Sequence, residues 1–190
     1  MSCLVCNKFL PDTMRFRAVE VHTLHIRDFD GERIVQALGE TKEYEICTAC
    51  AEREVQAVLF PQKRIMLKCL PFVLLGIIGA VLTLLLTVKN IMPVFRAIGP
   101  IAFVVGILGV VSKVRETLRE RESVKKMSHD EAVRHCAWIL VVKNAPKKYG
   151  DNDITYIPVN DSTKAMTAEK LSTEFDLLPA IASKVREILT

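Results

Sequence analysis

Two close pairs of cysteines near the start of the chain place the strongest constraint on its fold. The pairs are Cys3-Leu-Val-Cys6 and Cys47-Thr-Ala-Cys50. Two thiolate pairs of this spacing supply the four ligands of a tetrahedral structural zinc site. Such a site stabilises a region whose hydrophobic core is too small to fold alone. We therefore predict structural zinc as a cofactor, with Cys3, Cys6, Cys47 and Cys50 as its ligands.

The sequence also allows other functions of paired cysteines, namely binding of another metal or cluster and redox chemistry. An iron–sulfur cluster or another thiophilic metal also takes thiolate ligands. A thioredoxin-like redox pair needs one such motif at the start of a helix in a βαβ unit, whereas this chain has two motifs in another setting. Four thiolates leave no open coordination position, which favours a structural site. Cys69 and Cys136 fit neither pair and are predicted to be small buried hydrophobes.

Two apolar segments follow the cysteine pairs. Leu70–Val88 has no charged residue and extends about 28 Å as a helix, close to the ~30 Å hydrocarbon core of a bilayer. Ala97–Ser112 extends only about 24 Å, and it reaches the length of a span if its helix starts at Pro93. We predict a two-helix transmembrane hairpin over residues 67–112. One span followed by a re-entrant helix is the alternative.

The charges beside the apolar segments predict which side of the membrane holds the termini. Basic residues precede the first segment and follow the second: Lys63, Arg64, Lys68, Lys113, Arg115, Arg119 and Arg121. Positive residues stay in the cytoplasm, and the first twenty residues lack the apolar core of a signal peptide. We therefore expect an integral membrane protein with two spans and both termini cytoplasmic. Paired cysteines in that compartment bind metal more often than they form disulfides.

Residues 1–62 are predicted to form a small, β-rich zinc-binding domain. Extended segments, a turn signal and a final segment of helical period follow one another: Arg15–Asp28, Asp30-Gly31, Ile34–Leu38, Glu43–Ile46 and Ala51–Phe60. A thiolate knuckle, a β-hairpin and a second cysteine pair at a helix start resemble a treble-clef or zinc-ribbon domain over residues 1–60. The resemblance rests on Cys3, Cys6, Cys47 and Cys50. It implies structural zinc in a domain that binds proteins or nucleic acid.

The remainder of the chain is predicted to be a mostly helical cytosolic region. Residues 113–148 form a basic stem and a helix that begins at the capping box Ser128-His-Asp-Glu131. Four residues form the packed side of that helix, with Trp138 as a core or interface anchor: Val133, Ala137, Leu140 and Val141. Residues 149–190 form a small α+β region with one strand at Ile154–Val159 and helices that start near Thr167 and Pro179.

These regions together predict an α+β membrane protein with a small β-rich zinc domain, a transmembrane α-hairpin and a mostly helical cytosolic C-terminal domain. The chain has no phosphate-binding loop, dinucleotide fingerprint, nucleophile elbow or HExxH motif. We therefore do not expect an enzyme. Membrane lipid and a protein partner are the expected partners, and the favoured function is protein–protein recruitment or regulation at the membrane.

Two other functions stay open. In the first, the protein is a membrane effector or pore-forming subunit whose hairpins assemble as a homo-oligomer, through the small-residue faces Gly76-x3-Ala80 and Ala102-x3-Gly106. In the second and weaker one, residues 1–66 bind nucleic acid at the membrane. Their net charge of −1 argues against nucleic acid, which needs a basic face.

Overall fold

The computed structural model describes residues 2–28, 31–88 and 98–190 of the chain. Within them the protein is a mixed α+β structure with a curled sheet of four strands and seven helices. The strands are β1 (Thr13–Asp28), β2 (Gly31–Cys47), β3 (Lys148–Tyr149) and β4 (Asn152–Pro158). The helices are α1 (Thr48–Leu59), α2 (Gln62–Val88), α3 (Ile98–Lys126), α4 (His129–Asn144), α5 (Asp161–Lys164), α6 (Ala168–Phe175) and α7 (Pro179–Leu189).

The chain divides into two compact units. One consists of Met1–Glu52 together with Val133–Thr190, and the other of Arg53–Ala132. The sequence placed residues 1–62 and 149–190 in separate regions. In the structure, β4 lies beside β1, so both ends of the chain contribute strands to one sheet. Strand pairing over such a sequence distance leaves no local signal, because each strand shows only its own alternation of apolar residues.

The sheet is antiparallel throughout, with the strand order β2-β1-β4-β3. β1 and β2 form one long hairpin, paired from Thr13 with Cys47 to Asp28 with Gly31. The two short extended segments predicted from the sequence, Ile34–Leu38 and Glu43–Ile46, therefore belong to one continuous strand. Asp30, the first residue of the predicted turn, lies outside the described residues.

A bulge interrupts the hairpin between Val19 and Val21. Gly39 lies in the bulged part of β2, where an added Cβ would lie 2.6 Å from Nε2 of His22. A glycine at this position leaves room for the His22 ring against the backbone of β2. The bulge therefore brings β2 against the Glu20 and His22 side chains of β1.

One face of the sheet carries the main hydrophobic core of its unit. Val19, Val21 and Ile157 are fully buried there, and they pack with six buried residues of the C-terminal segment: Leu171, Leu177, Ile181, Ala182, Val185 and Leu189. The spacing of the last four gives α7 a continuous apolar face. Burial of each large aliphatic side chain contributes roughly 1.5–3 kcal/mol. The core of this unit therefore depends on its C-terminal helices.

The opposite face of the sheet holds aromatic and polar side chains. The Tyr44 and Tyr156 rings meet edge to face with centroids 5.8 Å apart, and Phe16 lies 6.1 Å from Trp138 of α4. The predicted packed side of α4 is confirmed, because Val133, Ala137, Leu140 and Val141 are all buried. Cys136 is also buried, as predicted.

The second unit contains the two long apolar helices. α2 and α3 are long and apolar enough to cross a membrane, with mean hydropathies of 2.4 and 1.7 over their most apolar windows. α2 begins at Gln62, so Pro71 lies inside the helix and not in its first turn as the sequence suggested. α3 runs without a break to Lys126. Pro93, the helix start that the sequence suggested for the second span, lies outside the described residues, as does the segment that joins the two helices.

Glycines bring α2 and α3 together as an antiparallel pair. A Cβ on Gly106 would lie 2.8 Å from the backbone of Gly76, and a Cβ on Gly79 would lie 2.5 Å from the Phe103 nitrogen. Cys69, which is buried as predicted, lies with its sulfur 4.0 Å from the Val110 carbonyl oxygen. The missing side chains of Gly79 and Gly106 therefore allow the close contact between α2 and α3.

Several helix starts are those that the sequence predicts. The Glu131 N–H donates to Ser128 Oγ, and the Ser128 N–H donates to Glu131 Oε2 at 2.9 Å, so the capping box is confirmed. The backbone and hydroxyl groups of Ser128 hold the pKa of Glu131 below its usual value. Thr167 caps α6, and Pro179 occupies the first turn of α7.

Candidate metal centre

The first cysteine pair lies on a tight knuckle before β1. The Asn7 N–H donates to the Cys3 carbonyl at 2.8 Å, and the Cys3 N–H donates to the Lys8 carbonyl at 3.1 Å. Asn7 has a φ of 55°, a left-handed conformation that asparagine tolerates better than most residues. This turn brings Cys3 and Cys6 to the same side of the chain.

The second pair lies where β2 ends and α1 begins. Cys47 is the last residue of the strand, and Cys50 is the third residue of the helix. Backbone N–H groups at a helix start are unpaired by other helical carbonyls and attract negative charge. The end of β2 and the start of α1 therefore hold both sulfurs of the second pair.

Backbone bonds hold the knuckle against the end of β2. The Leu4 N–H donates to the Glu45 carbonyl at 2.9 Å, and the Cys47 N–H donates to Sγ of Cys3 at 3.3 Å. Cys3 and Cys47 are buried, and Cys6 and Cys50 are half-buried. The two pairs, separated by forty residues of sequence, therefore share one enclosed site.

The four sulfurs have the spacing of a metal site. All lie within 4.8 Å of one another, and the Cys6 and Cys47 sulfurs are 3.8 Å apart. A tetrahedron with Zn–S bonds of about 2.3 Å has sulfur–sulfur edges of roughly 3.8 Å. The predicted clustering of Cys3, Cys6, Cys47 and Cys50 is confirmed, and the donor set fits a thiophilic ion such as zinc.

Burial and neighbouring groups shift the pKa values of three of these thiols. At Cys3, burial alone would raise the pKa, but N–H groups of Cys47, Cys6 and Val5 outweigh it and lower the pKa to about 6. Burial, with hydrogen bonds that the Cys50 thiol donates to the Cys47 and Cys6 sulfurs, raises the pKa of Cys50 to about 12. Burial also raises the pKa of Cys47. Four adjacent thiolates need a cation to be stable together, and a divalent metal supplies that charge.

A closed set of four thiolates has a limited chemistry. Every tetrahedral position would be filled by protein, so a bound zinc ion would have no position for water or substrate. Within residues 2–28, 31–88 and 98–190, this is the one group of three or more potential ligands close enough to hold an ion. His22 and His25 stay apart from it, and His22 instead lies 3.8 Å from Glu20.

Sequence reasoning missed a buried polar cluster on β1. Glu20 is buried with its carboxylate 3.0 Å from Nζ of Lys42, and the Tyr44 hydroxyl donates to it at 3.2 Å. Burial is the main cause that raises the pKa values of Tyr44 and Tyr156. The available signal was the acidic residue that interrupts the apolar face of β1, since a buried carboxylate needs partners.

The chain was compared with protein families, curated proteins and solved structures, and nothing matches it. The class that the fold and the site define is an α+β protein with a four-cysteine candidate metal centre and two helices that can cross a membrane.

Proposed function

We propose that this chain is a membrane-anchored protein whose zinc-stabilised module faces the cytosol and recruits or regulates another protein at the membrane. One observation carries the proposal: a closed set of four cysteines belongs to the same chain as two long apolar helices. A closed thiolate site stabilises a fold but does no chemistry of its own. Its role would be to hold a binding surface, and we propose no catalytic role for it.

The finer features of the module belong to the same proposal. A knuckle, a long hairpin and a second cysteine pair at a helix start support a treble-clef or zinc-ribbon type of site. Zinc suits it best, because zinc has no redox chemistry and accepts tetrahedral thiolate ligands. Binding of the ion would then couple to folding of the module.

The hairpin would act as the anchor. Large apolar side chains on α2 and α3 point away from the helix pair, with Ile77 55%, Ile101 60% and Leu108 62% exposed. Outward surfaces of this kind suit lipid. Confinement to a membrane raises the local concentration of the module for a partner on the same surface.

The orientation is tested by cysteine labelling. With Cys69→Ala and Cys136→Ala in the background, an Asn90→Cys variant should react with an impermeant maleimide added to intact cells. The expected connection between the helices would then lie outside, and both termini inside. Labelling only by a permeant reagent would reverse the orientation.

Recruitment is tested by crosslinking and purification from membranes. A partner should co-purify with the wild type at a defined stoichiometry and should be lost from Cys47→Ser. Cys69→Ala, which removes a thiol outside the metal centre, should retain it. Equal recovery of that partner with Cys47→Ser would contradict a role for the zinc module, and absence of any stoichiometric partner would contradict recruitment itself.

A groove on the helix pair supports the pore-forming alternative, because a second hairpin could pack into it. The groove has a volume of about 310 Å³ and an apolar lining that includes Gly76, Ala80, Phe103 and Ile107. A Cβ on Gly76 meets no atom within 4 Å, so Gly76→Leu would fill the groove. If hairpins assemble there, the wild type should leak ions from proteoliposomes and Gly76→Leu should not. An ion-tight wild type would remove this alternative.

A further inference from the structure

Strand β1 has a free edge beside the end of β4. The β1–β4 pairing runs from Thr23 with Asp153 to Ala18 with Pro158, whereas β2 accompanies β1 on its other side down to Thr13. After Pro158, a single backbone bond continues the contact, from the Val159 N–H to the Arg17 carbonyl at 2.9 Å. Among the described residues, no strand pairs with residues 13–16 on this side.

The backbone at this edge is oriented to accept another strand. The Arg17 carbonyl points to the side that β4 occupies. Because strand residues alternate the direction of their N–H and C=O groups, those of Arg15 point to the same side. Such an edge is a template for an added strand.

A cavity of about 710 Å³ lies along this edge. Its apolar wall is formed by Met14, Phe16 and Trp138, and Val159 closes the end where β4 leaves the sheet. The Phe16 and Trp138 rings are tilted at 44° with centroids 6.1 Å apart. An apolar or aromatic side chain of an added strand would have these rings to pack against.

The charged part of the cavity lining is mostly basic. Arg15, Arg17 and Arg134 line it with a single carboxylate, that of Glu43. Arg17 lies 3.4 Å from Glu43 and Arg15 lies 3.1 Å from Glu45, but Arg134 has no carboxylate within ion-pair distance in the described part of the chain. The exposed guanidinium of Arg134 is therefore available to an acidic ligand.

We propose that this edge binds an extended, acidic segment of a protein partner as an added β-strand. Alternate side chains of that segment would be apolar toward Phe16 and Trp138 and acidic toward Arg15 and Arg17, and an acidic group of the segment would pair with Arg134. The inference rests on the proposed recruitment function and gives it a site and a partner chemistry. A second copy of this chain does not suit the edge, because its own Arg15 and Arg17 would face those of the first.

The test uses the whole chain of residues 1–190 in lipid nanodiscs and the probe acetyl-Glu-Val-Glu-Phe-Glu-Val-Glu-amide. Trp138 is the single tryptophan of the chain and lines the cavity, so its fluorescence reports binding. We expect a saturable change with this probe and none with the probe in which lysine replaces each glutamate. Absence of saturation, or equal binding of both probes, would overturn the proposal.

Backbone pairing is tested with two N-methylated probes. One carries methyl groups on the glutamate amides and the other on the valine and phenylalanine amides. Since only alternate amides of an added strand face β1, one probe should bind and the other should not. Binding of both would overturn the added strand even if the acidic side chains matter.

The charge requirement is tested with a matched pair of variants. Arg134→Glu should lower the affinity for the acidic probe by about tenfold or more, as expected for loss of a hydrogen bond to a charged group. Arg186→Glu makes the same charge change at an exposed position on α7 and should bind within about twofold of the wild type, as surface charges of this kind contribute little. Equal weakening by both variants would overturn the site.

The outcomes separate this inference from the proposed function. A co-purified partner that survives Arg134→Glu, with no probe binding, would refute the edge and leave recruitment standing. Binding of the probe, in a protein with which no partner co-purifies at a defined stoichiometry, would support the edge and contradict recruitment. Saturation by adenosine monophosphate in place of the peptide would assign the cavity to a small anionic ligand and overturn the proposal.

Discussion

The Glu20 carboxylate lies 3.0 Å from the ammonium group of Lys42, although the Glu20 side chain is only 3% exposed and the Lys42 side chain is 48% exposed. A buried carboxylate is costly unless opposite charge and hydrogen bonds compensate for the lost water. Lys42 supplies the charge from the solvent side. The Tyr44 hydroxyl donates a hydrogen bond to the same carboxylate from within the sheet.

Removal of the charge on Lys42 should therefore destabilise the sheet. We expect Lys42→Met to lower the free energy of unfolding by about 1 kcal/mol, a modest value because water replaces part of the exposed partner. Lys148→Met is the matched control, since the Lys148–Asp153 pair is 72% and 53% exposed; it should cost less than about 0.5 kcal/mol. Urea unfolding followed by Trp138 fluorescence measures both. Equal losses would contradict a special role for the Glu20 pair.

The same pair predicts how stability depends on pH. The hydrogen bond to Glu20 is the main cause that raises the pKa of Lys42 above its ordinary value of 10.5. A raised folded-state pKa means that the stabilisation is complete below the unfolded-state pKa and is lost as pH rises through the folded-state pKa. The stability difference between wild type and Lys42→Met should thus be constant near neutral pH and shrink above about pH 10.5. A difference that grows in alkali would contradict the assignment.

Loss of one cysteine ligand should release the metal and unfold the module. We expect the wild type to purify with about one zinc per chain, and Cys47→Ser to lose most of it, because ion binding and folding are coupled in such sites. Elemental analysis and limited proteolysis measure the two effects, with Cys69→Ala as the control that keeps the ion. A metal-free Cys47→Ser protein with a protease-resistant N-terminal region would contradict this prediction.

Metal retention should depend on pH through the thiols. Burial is the main cause that raises the pKa of Cys50, to about 12, and of Cys47, so the ion must displace protons to bind there. Affinity for zinc should fall as the pH is lowered from neutral, because protons compete for the sulfurs. Competition with a chromogenic chelator across this range measures it. Cys50→His should show a shallower dependence, since a histidine is largely neutral already at neutral pH, and pH-independent retention by the wild type would refute the model of thiolate binding.

The features that the sequence predicts well are those with local causes. The cysteine spacing, the capping box at Ser128 and the proline at the start of α7 each act within a few residues. The extent of α2 was less predictable, because Pro71 suggests a helix start while the upstream residues from Gln62 continue the helix. A proline inside a helix of this length removes one hydrogen bond and leaves the rest in place.

The features that the sequence could not predict arise from contacts between distant segments. The pairing of β4 with β1 and the ion pair between Glu20 and Lys42 both depend on which strands become neighbours. The bulge beside Gly39 is of the same kind, since the His22 side chain of another strand lies against this glycine. The free edge at residues 13–16 also depends on the pairing of β4 with β1. It exists because this pairing stops at Ala18, whereas β1 begins at Thr13.

The last prediction concerns the helix pair. It states that Gly76 and Gly106, which both belong to small-x3-small motifs, differ in their effect on stability. A Cβ on Gly106 would lie 2.8 Å from the Gly76 backbone, while a Cβ on Gly76 would meet nothing within 4 Å. Gly106→Ala should therefore push the helices apart and cost about 1–3 kcal/mol through overpacking. Gly76→Ala should change stability by less than about 0.5 kcal/mol.

The proximity of the helices can be measured with a native cysteine. Cys69 lies beside Val110, so a Val110→Cys substitution in a Cys136→Ala background offers a pair for oxidative crosslinking in membranes. Crosslinking should slow in the Gly106→Ala variant and keep the parental rate in Gly76→Ala. Equal rates in the two variants would show that Gly106 does not set the approach of α2 and α3, because an overpacked contact one turn from Val110 must alter the distance between the two sulfurs.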